Sequence, residues 1–228
     1  MKILLTLCLT LFMANAQNMP KTKQLLVVSA KNWSTSSGKL QRYSKSGNRW
    51  QKVGKKISVK LGRNGLGWGR GLHTIPKSAK VIKKEGDGKA PAGIFTLKQA
   101  FGYRSLNISY PYRVYSETDH CVDDIHSKLY NKIVDSTKTK RDYKSFERMK
   151  FPKDYYKYGI VVNHNHIDEK KAIKGAGSCI FIHIKSVPTA GCTVMNESEI
   201  KEILKWLNPK ANPLLVQGVD VKFLINQI

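Results

Sequence analysis

The 228-residue sequence predicts a mainly β protein with short helices, and three observations carry that prediction. Short apolar, β-branched runs recur along the chain, each bounded by Gly, Asn, Ser or Pro. Strand alternation is clear at Ile180, Ile182 and Ile184, which share one face and leave Phe181 and His183 on the other. A helical stripe is clear in one place, where Ile200, Ile203, Leu204 and Leu207 follow the i, i+3, i+4, i+7 spacing.

In chain order, residues 3–13 form a short apolar run behind Lys2, and Ala14-Asn15-Ala16 supplies a small-x-small cleavage pattern. Residues 1–16 therefore read as a secretory signal peptide, too short for a membrane span. Residues 17–228 are expected as one exported domain, in the periplasm or cell envelope, and no later stretch is apolar enough to cross a bilayer. The chain carries 40 basic and 16 acidic residues, a net charge of +24, which draws it toward polyanions. Export favours an anionic envelope polymer over nucleic acid as the partner for that charge. Cys121, Cys179 and Cys192 remain after cleavage. Either Cys121 pairs with Cys179 and Cys192 stays free, or all three are thiols.

Gln24 to Ala30 reads as a buried strand, and Lys39 to Ser44 and Arg49 to Val53 as strands joined by Ser/Gly/Asn turns, together an antiparallel meander. Gly62, Gly65, Gly67, Gly69 and Gly71 surround Trp68 without the Gly-Lys-Ser/Thr of a phosphate loop. This segment either lets a peptide approach the backbone or forms a structural loop. Lys80 to Lys83 reads as a strand, as does Ile94 to Leu97. Residues 103–154 are polar and aromatic and read as an insertion over one side of the core. Within them Ser127 to Asp135 and Thr139 to Met149 have helical composition, with Tyr143, Phe146 and Met149 on one packing face. Asp123-Asp124 is a binding pair for a metal or a cationic amine, or else a solvated turn or helix cap. Tyr158 to Asn163 is a strand ending in Asn163-His164-Asn165-His166. A zinc reading of His164-x-His166 needs a third ligand, for which His183 is the candidate, and the acidic base beside a hydrolytic zinc has no fixed place. The preferred reading puts His164 at the rim of a groove, with no metal. Asn196 with Glu199 makes a capping box for the C-terminal helix, and Asn208-Pro209 stops it. Leu214 to Val216 gives a closing strand.

The chemistry concentrates at Ser178 to Met195. His183 stands on the polar face of its strand, Pro188 and Gly191 turn the chain, and Cys192 follows within expected hydrogen-bond reach of His183. A thiol beside an imidazole is the minimum apparatus for acyl transfer, because the base makes the thiolate available. Cys179 is a poor rival nucleophile, being four strand residues from His183, roughly 13 Å. The helix is expected to begin shortly after Cys192, so that its N-terminal dipole favours the thiolate by about 1 kcal/mol.

His183 followed by Thr189-Ala190-Gly191-Cys192 resembles the active-site signature of the L,D-transpeptidase (YkuD-type) catalytic domain family. Gly65-Leu66-Gly67-Trp68-Gly69, the run from Glu85 to Phe95, Val122-Asp123-Asp124, Tyr130-Asn131 and His164-Asn165 resemble one branch of that family, so the likeness spans roughly 62–217. Many members carry Arg two residues after the cysteine, where this chain has Val194. The resemblance implies a β-sandwich-like catalytic domain with one helix packed on the sheets. It implies a cell-wall enzyme, with a role in cell shape, acting on peptidoglycan stem peptides through a thioester, without a cofactor. Cys192 and His183 are then catalytic, the backbone of Gly191 and Cys192 lines the oxyanion site, and His164, Asn165, Trp68 and Thr189 are candidates for substrate binding. Two other classes are a secreted basic metal-dependent nuclease and a non-catalytic envelope-binding domain of the same fold. In papain-like proteases the cysteine precedes the histidine, the reverse of the order here.

Overall fold

The computed structural model describes residues 19–169 and 171–228. The signal peptide expected at 1–16 lies outside the described residues. The expected meander forms: β1 (Gln24–Ala30), β2 (Ser37–Ser46) and β3 (Arg49–Lys60) pair antiparallel in sequence. β4 (Leu66–Trp68) pairs in parallel with the long β5 (Ala90–Gly102), which also takes β6 (Tyr112–Val114) on its edge. A separate three-stranded sheet joins β7 (Asp119–Val122) to β8 (Ile133–Asp135) and β9 (Phe146–Arg148). β10 (Tyr158–Val162), β11 (Phe181–Ile184) and β12 (Thr193–Met195) precede helix α1 (Glu197–Trp206), and β13 (Leu214–Gly218) and the short α2 (Val221–Ile225) end the chain.

The main sheet runs β10-β11-β12-β3-β2-β1-β13-β5-β4, and β10 also pairs with β5, so the sheet closes on itself. Closure removes two edges that would otherwise expose unpaired backbone. The result is mainly β, with α1 packed on the sheet through Ile200, Ile203 and Leu204, all buried. The capping box at Asn196 and Glu199 is present. No helix among the described residues is long and apolar enough to cross a membrane.

Two apolar clusters flank β10–β12. Ile160, Val162, Ile180 and Ile182 face the main core with Leu26, Phe95 and α1. Val161, Phe181, Cys192 and Val194 face a second cluster containing Phe101, Tyr156, Met149 and Cys121. Strand alternation thus sorts one strand's residues into two cores, and the second is roofed by the three-stranded sheet. Cys121 of that sheet is disulfide-bonded to Cys179, and Cys192 is free.

Several local expectations are corrected. Residues 80–83 contribute a single bridge, Ile82 to Trp68, and no strand: Ile82 is exposed and the Lys83 side chain turns inward to Asp87. Residues 127–135 and 139–149 hold turns and strands in place of helices. There Ser127 and Asp142 accept hydrogen bonds from the Leu129 and Lys128 amides, and Asn131 adopts a φ of 60°. A side chain that satisfies an amide two residues on, as Ser127 does, competes with helix formation. The strand expected from Ser178 begins only at Phe181, because Cys179 takes a φ of 54° and gives its N–H to Asn131 Oδ1 at 3.0 Å. Helix α1 starts after β12, with its N-cap Asn196 four positions, roughly 13 Å of extended chain, beyond Cys192. A helix dipole fades beyond its first turn, so it gives Cys192 little aid.

Candidate functional site

Residues from five segments enclose a cavity of about 340 Å³, and Cys192 and His183 both line it. β11 carries His183 because its ring falls on the Phe181 side, away from the main core. Cys192 stands just before β12, which pairs in parallel with β11, so the two residues come from neighbouring strands. The loop between them is clamped to the end of β3: Thr189 N–H donates to Leu61 O at 2.9 Å and Arg63 N–H to Thr189 O at 2.8 Å.

His183 is buried, and its Nδ1 lies 3.2 Å from Tyr155 O and 3.1 Å from Ile184 O. Carbonyl oxygens only accept, so Nδ1 carries the proton and Nε2 keeps its lone pair. The Tyr156 ring meets the imidazole edge-on, with centroids 4.7 Å apart. Burial lowers the imidazole to about 4, so it is neutral at ordinary pH.

Cys192 is 6% exposed. Its Sγ accepts from Phe181 N–H at 3.3 Å and donates to Cys179 O at 3.6 Å. Among the described residues, no hydrogen bond joins Sγ to His183. The expected contact is replaced in this conformation by the Cys179 carbonyl, which the left-handed turn at Cys179 aims at the thiol. Burial pushes the thiol well up, and the Glu147 carboxylate adds to that rise. The resting pair is therefore a neutral thiol and a neutral imidazole.

Thr189 is at the cavity, and its hydroxyl braces the backbone there, donating to Cys192 O at 2.7 Å and accepting from Gly191 N–H at 3.1 Å. The remaining candidates lie elsewhere. His164 is 1% exposed, accepts from Arg70 N–H at Nδ1 and donates from Nε2 to Ala176 O. Asn165 is fully buried and bonds Ile173 and Gly177. Neither lines the cavity: His164, expected at the groove rim, and Asn165, a candidate for substrate binding, are both interior supports. Asn165 and His166 both take positive φ in a turn beyond β10, and the shared strand face assumed for His164-x-His166 is absent. Trp68 packs against Trp33 and His73, away from Cys192. A Cβ on Gly65, whose φ is 81°, would meet Trp33 O at 2.1 Å, so this glycine serves backbone packing. Val194 is fully buried in the second cluster.

Among the cavity residues, Glu147, Lys83 and Lys185 are ones for which the sequence suggested no role at a site. Glu147, on β9, accepts from Tyr156 Oη at 2.5 Å, and burial raises its carboxyl to about 7. Lys83 and Lys185 line the same space. Tyr130 and Ser178 both donate to Glu85 Oε2 at 2.6 Å. Of the acidic pair, Asp124 caps the His126 and Lys144 amides, while Asp123 reaches the cavity.

The fold and this cavity define a mainly β domain that sets a thiol and an imidazole with a fixed tautomer on one wall. The YkuD family model, the L,D-transpeptidase catalytic domain, matches residues 32–216, and the chain belongs to that family. The solved structure of Bdellovibrio bacteriovorus Bd1075 is similar at 15% identity and a TM-score of 0.43, covering 87% of this chain. This chain spans about half, 48%, of that one. No curated protein matches.

Proposed function

We propose that the protein is a cysteine acyltransferase of the cell envelope, acting on peptidoglycan stem peptides by L,D-transpeptidation, L,D-carboxypeptidation or both. One observation carries the proposal: Cys192 and His183 share a cavity in which Nδ1 of the imidazole is committed to two carbonyls and Nε2 is left as a base.

The substrate displaces the thiol from Cys179 O. His183 Nε2 takes the thiol proton as sulfur attacks the amide carbonyl between the L-centre and the D-residue. Because both groups are neutral at rest, the proton moves with the attack and not before it. Gly191 N–H is held by Thr189 Oγ1, so the Cys192 N–H is the donor to the oxyanion. The C–N bond breaks, His183 returns the proton to the departing amine, and a Cys192 thioester remains. An amine of a second stem peptide resolves it to a crosslink, with His183 accepting the proton; water resolves it to a free carboxylate.

The test is intact-mass analysis after incubation with tetrapeptide muropeptides. An acyl adduct that Cys192→Ser abolishes supports the reading. No adduct and unchanged muropeptides would instead leave a non-catalytic envelope-binding domain.

A further inference from the structure

Beside the catalytic cavity lies a second one, of about 390 Å³, where β2, β3 and the segment after β11 meet. Its polar lining includes Ser37, Lys39, Ser58, Lys60, Lys185 and Ser186, and no carboxylate lines it. Among the described residues none of these three lysines forms a salt bridge. Lys39 stands opposite Ser58 and Ser37 opposite Lys60 on the β2–β3 ladder. Residues two apart share a strand face, so both pairs rise from the same side of a rigid ribbon. Lys39 Nζ donates to Ser58 Oγ at 2.8 Å and Lys60 Nζ to Ser37 Oγ at 3.1 Å. An ammonium has three donors, so each lysine is held in place with donors to spare.

The surroundings do not neutralise this charge. Residues 19–84 contain no Asp or Glu. The nearest acids on α1 are engaged elsewhere: Glu197 pairs with Lys157 and Lys201, and Glu199 accepts from the Asn196 N–H. Lys185 lines both cavities, so they adjoin.

We propose that the second cavity binds an oxyanion, a phosphate or a carboxylate, carried on the polymer whose acyl group reaches Cys192. The link to Cys192 rests on the acyl-transfer reading above; the oxyanion site does not. Charge-assisted hydrogen bonds from lysine and serine supply the recognition. The site is open to water, so binding weakens as salt screens it.

The experiment titrates the full chain with inorganic phosphate, and separately with acetate, at constant ionic strength, followed by amide NMR shifts. Saturable shifts at Ser37, Ser58 and Ser186 are expected, and the tighter anion identifies the group. The K39Q/K60Q variant is expected to weaken binding by about tenfold or more. Its rate of Cys192 alkylation by iodoacetamide stays unchanged, which shows that the fold is intact. Absence of saturation with either anion, or equal affinity in K39Q/K60Q, overturns the site. So does saturation by an oligonucleotide alone. A failure to form the Cys192 adduct on muropeptides would remove the acyl-transfer reading and leave this result standing.

Discussion

Replacing both halves of the disulfide, as Cys121→Ser with Cys179→Ser, separates the roof of the cavity from its floor. The bond closes a loop of 58 residues between β7 and the turn before β11. In the chain-entropy account, opening a loop of that length lowers stability by about 4 kcal/mol at 25 °C. For a chain of this size that corresponds to a fall in Tm of roughly 10 °C. The native turn retains other supports, since Asn131 Oδ1 holds the Cys179 amide and Glu85 holds Ser178. The variant is therefore expected to fold, with the β7–β9 sheet opening more often than the main sheet. Urea unfolding reads the stability, and iodoacetamide alkylation of Cys192 reads the opening, because the thiol is 6% exposed beneath that roof. A loss near 4 kcal/mol with faster alkylation is expected. A loss under about 1 kcal/mol with unchanged alkylation would refute the idea that the crosslink holds the cavity wall.

Glu147 adds to the rise of the Cys192 thiol and itself ionises near 7. Glu147→Gln should therefore speed Cys192 alkylation above about pH 7 and leave it unchanged below; an equal effect at pH 6 and 8.5 would exclude a charge origin. His183 and His73 are lowered to about 4 and His164 to about 3, all first by burial. The folded state then binds fewer protons than the unfolded chain between about 4 and 6.5, so these groups cost stability as pH falls through that window. The urea midpoint should drop there, less steeply in His164→Gln, and an identical slope would refute a buried neutral His164. The acid limb of activity should fall near pH 4 to 5; a limb near 6.5 would mean that substrate binding exposes the imidazole. Thr189→Val removes the hydroxyl that joins Cys192 O to Gly191 N–H. A loss of about 2 kcal/mol is expected in unfolding experiments, with slower Cys192 acylation; full acylation would free the oxyanion strand of any need for that hydroxyl.

What is readable from sequence follows from how far each feature reaches along the chain. The meander depends on short strand runs bounded by local turn residues, β11 on alternation within a few residues, and α1 on a local stripe and its own capping box. The placement of His183 away from the main core needs only a period of two. The turn at Cys179 is different. Its left-handed φ is held by Asn131, 48 residues earlier, and so the strand starts later than the isoleucine pattern suggests. His164 departs from its expected rim position for a related reason: its partners, Arg70 and Ala176, belong to segments far apart in sequence, and together they use both ring nitrogens. Helical composition in 127–149 loses to Ser127, which satisfies an amide two residues on, and to Asp142, which reaches back 14 residues to the Lys128 amide, while 133–135 and 146–148 pair with β7.

Long-range contacts also account for motif pieces around the cavity other than Cys192 and His183. Tyr130 and Glu85 meet Ser178, and Asn131 meets Cys179, so residues from distant segments fix the two positions before Ile180. Those positions carry the carbonyl that holds the resting thiol. Motif residues outside the His183 and Cys192 signature thus act on the site through the orientation of one backbone oxygen. Glu147 is the converse. It faces the thiol only because β9 pairs with β7 and β7 is bonded to Cys179, a juxtaposition made by pairing and crosslinking and carried by no local pattern.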